Sequence, residues 1–167
     1  MPTVDEFNRL PGEAVRRDLR ACCSSTRWID AVAGGRPYDS EEALFAASDA
    51  AVTGLSEADL GEALAGHPRI GDRRAVAHAG SWSGQEQAGV RDAEARLRQS
   101  LGEGNAEYER RFGHIYLACA TGRSAAELLA FLRERLGNDQ ETEWSVVASE
   151  LAKINQIRLR KLLEAES

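Results

Sequence analysis

Apolar positions along the 167 residues recur at steps of three and four and hardly anywhere alternate, which is the pattern of helices packed by one face rather than of strands. Each helical stretch also carries its own start and stop. Thr3 with Glu6 matches a capping box for a short first helix ending near Pro11-Gly12, and Glu13 to Cys22 supply a second. Trp28, Ile29 and Val32 form an apolar turn before the loop Gly34-Gly35-Arg36-Pro37. Asp39 with Glu42 caps the next helix, whose apolar face is Leu44, Phe45, Ala47, Ala51 and Val52, and Ser56 with Asp59 starts another that runs into Gly66. From His67 to Ser83 the periodicity is lost, which predicts a long loop with room for one helical turn. A helix from Ser83 to about Leu101 follows; Gly102-Glu103-Gly104 predicts a break, and Asn105 a cap for a separate helix to Phe112. His114 to Ala120 is a short apolar run compatible with buried helix or extended chain. Ser124 with Glu127 opens a helix striped by Leu128, Leu129, Leu132 and Leu136 and stopped at Gly137, and Asn138 with Glu141 caps the last, to about Leu163. The pattern predicts an all-α, single-domain helical bundle of about seven to eight helices over residues 1–167, with no internal repeat or linker.

Composition narrows the class of function. A net charge of −6 argues against general affinity for nucleic acid or anionic lipid, and no apolar run approaches a membrane span. The first residues lack a basic stretch followed by an apolar one, so no signal peptide is expected and the cytoplasm is the expected location. Three cysteines, Cys22, Cys23 and Cys119, without Cys-x-x-Cys spacing read as reduced buried thiols. The charge is uneven: from His67 to Arg98 six arginines stand against four acids, a local excess of +2 that leaves −8 elsewhere. Such a segment suits a small anionic substrate, and equally a solvated, salt-bridged surface.

Four features carry candidate chemistry, each beside a structural reading. In Gly66-His67-Pro68-Arg69-Ile70-Gly71-Asp72, Gly66 favours a left-handed helix stop and Pro68 keeps His67 out of the helical region, so a histidine is held extended just past a helix end. It is either a local packing feature or an acid/base near neutral pH. Ser83 with Glu86 satisfies a capping box, yet a helix N-terminus also seats a carboxylate or a urea-like oxygen, and Gln87 offers donor and acceptor together. Val147, Leu151 and Ile154 define an apolar stripe whose next step lands on Arg158, so this arginine is expected on a buried face, paired with an acid such as Glu86 or clamping a substrate carboxylate. Phe112-Gly113 is either a plain helix stop or a close backbone approach to a ligand. His67, His78 and His114 lack paired-ligand spacing, so no metal site is expected.

Taken in order, His67-Pro68-Arg69-Ile70-Gly71, Ser83-x-x-Glu86-Gln87, Phe112-Gly113, Gly122-Arg123-Ser124-Ala125-x-Glu127, Arg135-Leu136-x-Asn138, then Glu150, Ile154 and Arg158-Leu159, the chain resembles the 2-oxo-4-hydroxy-4-carboxy-5-ureidoimidazoline (OHCU) decarboxylases over nearly its whole length. Asn8 and the Arg36-Pro37 loop look like that family's N-terminal half. The resemblance implies an all-helical, homodimeric, cofactor-free carboxy-lyase that converts OHCU to (S)-allantoin and carbon dioxide, the last step of urate degradation. It implies His67 as catalytic acid/base with Glu86 as acidic partner, Pro68, Ser83, Gln87 and the backbone of Tyr116, Leu117, Ala118, Cys119 and Ala120 lining the substrate, and Arg158 binding it. Ile115 departs from a proline common in relatives and Arg69 from a frequent acidic residue; the first bears on the path of 114–120, the second on the charge of the entrance. No transthyretin-like hydrolase segment is recognisable, so the preceding step is expected to fall to a separate protein. Two other classes fit parts of the pattern: a catalytically silent helical ligand-binding module of the same fold, and a metal-dependent hydrolase using His67 and His78.

Overall fold

The structure, a computed structural model, describes residues 4–69 and 84–165, with the side chains of 84–93 and 165 outside the description. Among the described residues there are eight helices and no strand: α1 Val4–Arg9, α2 Gly12–Cys22, α3 Thr26–Gly34, α4 Glu41–Thr53, α5 Glu57–Ala65, α6 Gly84–Phe112, α7 Ala125–Arg135 and α8 Gln140–Ala165. The all-α expectation holds. The chain divides into two compact units, one of Met1–Gly66 with Trp144–Ser167, the other of His67–Glu143.

In the first unit α3 packs against α2, α4 and α5. Trp28, Ile29 and Val32 belong to the full helix α3 rather than to a single turn, because Ser25 caps it by accepting from the Trp28 amide at 3.3 Å. Trp28 is fully buried and donates from Nε1 to Ser48 Oγ at 3.2 Å, which explains a serine on the buried face of α4 beside Leu44 and Val52. The cap of α4 is Ser40, one residue after the expected Asp39, and the Ser56–Asp59 capping box of α5 forms as expected. Asn8 exchanges two 2.9 Å hydrogen bonds with the Tyr38 backbone, and Arg36 Nη1 donates to the carbonyls of Phe7 and Leu10 at 2.9 and 2.8 Å, so the loop at residues 36–38 closes on the end of α1. The Thr3–Glu6 capping box involves a residue outside the described ones.

In the second unit α6 packs against α7 around Leu101, Tyr108, Phe112, Tyr116, Ala118, Leu128, Leu129 and Leu132. The expected break at Gly102–Gly104 does not occur; α6 runs for 29 residues through both glycines. A Cβ on Gly104 would lie 2.8 Å from Leu132 Cδ2, so this glycine lets two helices approach and does not end one. Asn105, expected as a cap, is buried in the same helix. The helix stops instead at Gly113, whose φ of +82° suits glycine alone and whose amide donates to the Glu109 carbonyl at 2.9 Å. Ser124 and Glu127 form the expected capping box of α7. α8 is entered through Asp139, which accepts from the Thr142 amide at 2.7 Å, rather than through Asn138; the amide of Asn138 is used elsewhere.

Candidate functional site

α5 ends where Gly66 adopts φ −88° and ψ 0°, right-handed rather than left-handed as expected. Glycine is needed there for space: a Cβ would sit 2.5 Å from Ser24 Oγ, a hydroxyl that donates to the Glu62 carbonyl at 2.9 Å. His67 follows in a bend, outside any helix as the proline after it demands, half-buried and with its Nε2 shielded from solvent. Pro68 and Arg69 are exposed. Arg69 makes a two-pronged pair with Glu109 of α6, Nε to Oε2 at 2.9 Å and Nη2 to Oε1 at 2.8 Å, which holds the Glu109 carboxyl below its ordinary value. The segment after His67 is thereby tied to the helix on which Glu86 and Gln87 stand. Glu86 and Gln87 lie in the first turn of α6, their side chains outside the described residues; Ser83 and His78 lie outside them entirely, as does the part from residue 70 onward of the loop expected over 67–83.

The run from Ile115 to Ala120 is irregular chain, neither helix nor strand. Tyr116, Leu117, Ala118 and Cys119 are buried and Ala120 is exposed. Side chains reach its backbone: Arg135 Nη1 donates to the Leu117 carbonyl at 2.6 Å and Arg123 Nη1 to that of Cys119 at 3.3 Å, while Tyr116 fixes itself by donating from its hydroxyl to the Leu128 carbonyl at 2.9 Å. His114 takes a packing role, its ring stacked on Phe112 and edge-on to Tyr108.

Arg135 is the buried, acid-paired arginine that periodicity assigned to Arg158. It is 1% exposed, and Nε and Nη2 bind Glu143 Oε2 at 2.9 and 2.5 Å, with Glu143 wholly buried. Tyr108 donates to the same oxygen, and Asn138 Nδ2 donates to Oε1 at 3.2 Å. Burial alone would lower the pKa of Arg135; the bonds to Glu143 and its charge outweigh that and hold it raised. Burial and the bond to Glu143 push the Tyr108 phenol far above its ordinary range. Residue spacing had not marked this network. Its one trace in the sequence is Arg135-Leu136-x-Asn138 ahead of Glu143.

Arg158 lies in the first unit, half-buried, with Nη1 donating to the Cys22 carbonyl at 2.9 Å. The buried stripe of α8 advances by fours, through Val147, Leu151, Asn155, Leu159 and Leu163, which places Arg158 at its flank rather than on it. Burial pushes the Cys22 thiol up to about 11, with the Arg158 charge acting in the opposite sense. Among the described residues no group of three or more His, Cys, Asp or Glu side chains is placed to hold a metal ion.

Comparison with known proteins bears on all of these residues together. The sequence model of the OHCU decarboxylase family matches residues 8–160. A 2-oxo-4-hydroxy-4-carboxy-5-ureidoimidazoline decarboxylase of Amia calva is 31% identical over 137 residues, which cover 80% of this chain and 78% of that protein. The uric acid degradation bifunctional protein TTL of Arabidopsis thaliana is 30% identical over 156 residues, 87% of this chain and 46% of that protein, so the chain spans about half the length of that relative. The crystal structure of an OHCU decarboxylase in the presence of (S)-allantoin superposes with a TM-score of 0.71 at 31% identity, over 88% of this chain and 97% of that one. A crystal structure of an (S)-allantoin synthase shares the fold, with a TM-score of 0.69 at 18% identity over 96% of this chain and 54% of that one. With a family match that spans all but the ends of the sequence and a fold shared over nearly the whole of a solved member, the chain belongs to the OHCU decarboxylase family.

Proposed function

We propose that this protein decarboxylates OHCU to (S)-allantoin in urate degradation, without a cofactor, as one catalytic domain assembled into a cytoplasmic homodimer and with no nucleic-acid or membrane partner. The observation that carries the reading is the likeness, at 31% identity and over 97% of its length, to an OHCU decarboxylase crystallised in the presence of (S)-allantoin. In this proposal His67 is the catalytic acid/base and Glu86 its acidic partner. Pro68, Ser83, Gln87 and the backbone from Tyr116 to Ala120 line the substrate, and Arg158 binds it.

The chemistry suits these residue types. The bond from the ring carbon to the carboxylate breaks, carbon dioxide leaves, and the electron pair is taken up by the adjacent C=N. The nitrogen takes up a proton, the hydroxyl on the carbon that lost the carboxylate gives one up as it becomes the carbonyl, and a proton delivered to one face of the former C=N carbon sets the S configuration. The substrate supplies its own electron sink, so the protein has to place charge and deliver a proton. A half-buried histidine held by its flanking glycine and proline suits the second task.

The test uses freshly generated OHCU followed by circular dichroism in the presence of a chelator. The protein is expected to give (S)-allantoin far faster than spontaneous decay, which yields racemate. Rate and chirality both at background would reduce the chain to a binding module of the same fold. His67→Ala is expected to lose roughly 10²- to 10⁴-fold in kcat while staying folded; turnover near wild type would remove His67 from the reaction. Sedimentation at micromolar concentration tests the dimer.

A further inference from the structure

The reading above leaves a buried ionic network in the second unit without a task. Arg135, Glu143 and Tyr108 are sealed from solvent, and a buried ion pair is a poor way to gain stability, since apolar residues of equal volume serve as well or better. What this pair does that apolar residues could not is hold a direction. A guanidinium is planar with donors on two edges. Nε and Nη2 are spent on Glu143, so the position of that carboxylate decides where Nη1 points, and Nη1 points at the Leu117 carbonyl, 2.6 Å away. The rings of Tyr116 and Phe131 pack on the guanidinium at 4.8 and 4.9 Å and keep it from swinging. A trans peptide is flat, with its C=O and N–H pointing in opposite directions. Pinning the Leu117 oxygen therefore also fixes the Ala118 N–H, directed away from the guanidinium. This happens in a run that has no helix or strand ladder of its own to set its peptide planes.

We propose that Arg135 is a positioning residue: oriented by Glu143, it sets the Leu117–Ala118 peptide plane and thereby the backbone donors and acceptors that Tyr116 to Ala120 offer the substrate. This rests on the reading that these residues line the substrate.

Three variants of the full chain test it. Arg135→Lys keeps the charge for Glu143 but has no second edge to reach Leu117 in a fixed plane. Tyr108→Phe removes one bond to the same carboxylate and loosens the network less. Leu101→Val trims the same core and removes none of the network's hydrogen bonds. The readouts are KM and kcat on OHCU and hydrogen exchange of peptides covering 114–121. Arg135→Lys is expected to raise KM about tenfold or more, the loss of one hydrogen bond to a charged group, and to speed exchange in 114–121 with α6 unchanged. Tyr108→Phe should move both readouts the same way by less, and it decides the matter if the lysine variant does not fold. Leu101→Val should move neither. Network variants that match Leu101→Val in KM and exchange, while the wild type turns OHCU over, overturn the inference alone. A wild type without turnover removes the catalytic reading and the inference with it.

Discussion

Arg135 and Glu143 are 1% and 0% exposed, so each must have its charge met from inside the protein. Glu143 does this for Arg135 and accepts from Tyr108 and Asn138 as well, which makes it the hub on which the others depend. Glu143→Ala leaves a guanidinium and a phenol unmet in the core, and the expected loss is about 3–5 kcal/mol in urea unfolding at neutral pH. The double variant Arg135→Met/Glu143→Leu removes both charges and is expected to recover most of that loss, because well-packed apolar atoms tolerate this environment. It should be a stable protein and, if Arg135 positions the substrate-lining backbone as proposed, one with a raised KM for OHCU, since the bond to Leu117 is gone. A double variant as unstable as Glu143→Ala would mean that shape, not unpaired charge, sets the cost.

At the scale of elements, α6 gives the plainest test, because two glycines two residues apart are expected to answer the same substitution with opposite signs. Gly102 is exposed with open space where a Cβ would go, so Gly102→Ala should stabilise by up to about 1 kcal/mol through helix propensity. A Cβ on Gly104 would lie 2.8 Å from Leu132 Cδ2, and Leu132 is fully buried, so Gly104→Ala sets about 1–3 kcal/mol of overpacking against the same gain and should lower stability on balance. Melting temperatures of the two variants decide; both rising would put the approach of α6 to α7 in error. Local pattern reads these glycines alike, as a break followed by an Asn105 cap, because what separates them is a contact with a side chain 28 residues away. Where the signal is local, as in the Ser56–Asp59 and Ser124–Glu127 boxes, the helix starts were legible to the residue. The same distinction separates Arg158 from Arg135. A stripe advanced by steps of four and three reaches Arg158, but no periodicity announces that Glu143, in the opening turn of a helix where acids usually face water, lies in a core beside Arg135.

At the scale of the whole molecule, the family was legible because its motifs occur in order from Asn8 to Leu159, a constraint that chance spacing does not meet. The candidate site was legible only as a set of residue types. His67 past a helix end and the buried run at Tyr116–Cys119 follow from neighbours in sequence, whereas the ties that fix them, Arg69 to Glu109 and Arg135 to Leu117, join residues 40 and 18 apart. The dependence of global stability on pH is likewise invisible in composition and follows from partners. Hydrogen bonds from Ser56 lower the carboxyl of Asp59, those from Thr142 lower Asp139, and Arg69 lowers Glu109. In each case the unfolded chain binds the proton more readily, so the contribution is complete above the ordinary carboxylate pKa, about 4, and is lost as pH falls through the folded values. Burial raises Asp49, which opposes this in part. Burial also pushes Cys22 from 9.0 to about 11 and raises Cys23 and Tyr38. Here the folded state keeps a proton that the unfolded chain gives up, so this contribution is complete below pH 9 and is lost as pH rises toward about 11. Through these groups the denaturant midpoint is expected to fall as pH drops below about 4 and again as it rises above about 9. Cys22→Ala should make the alkaline fall shallower and leave the acid side unchanged; an unaltered slope above pH 9 would mean that the Cys22 thiol is not what the folded protein keeps protonated.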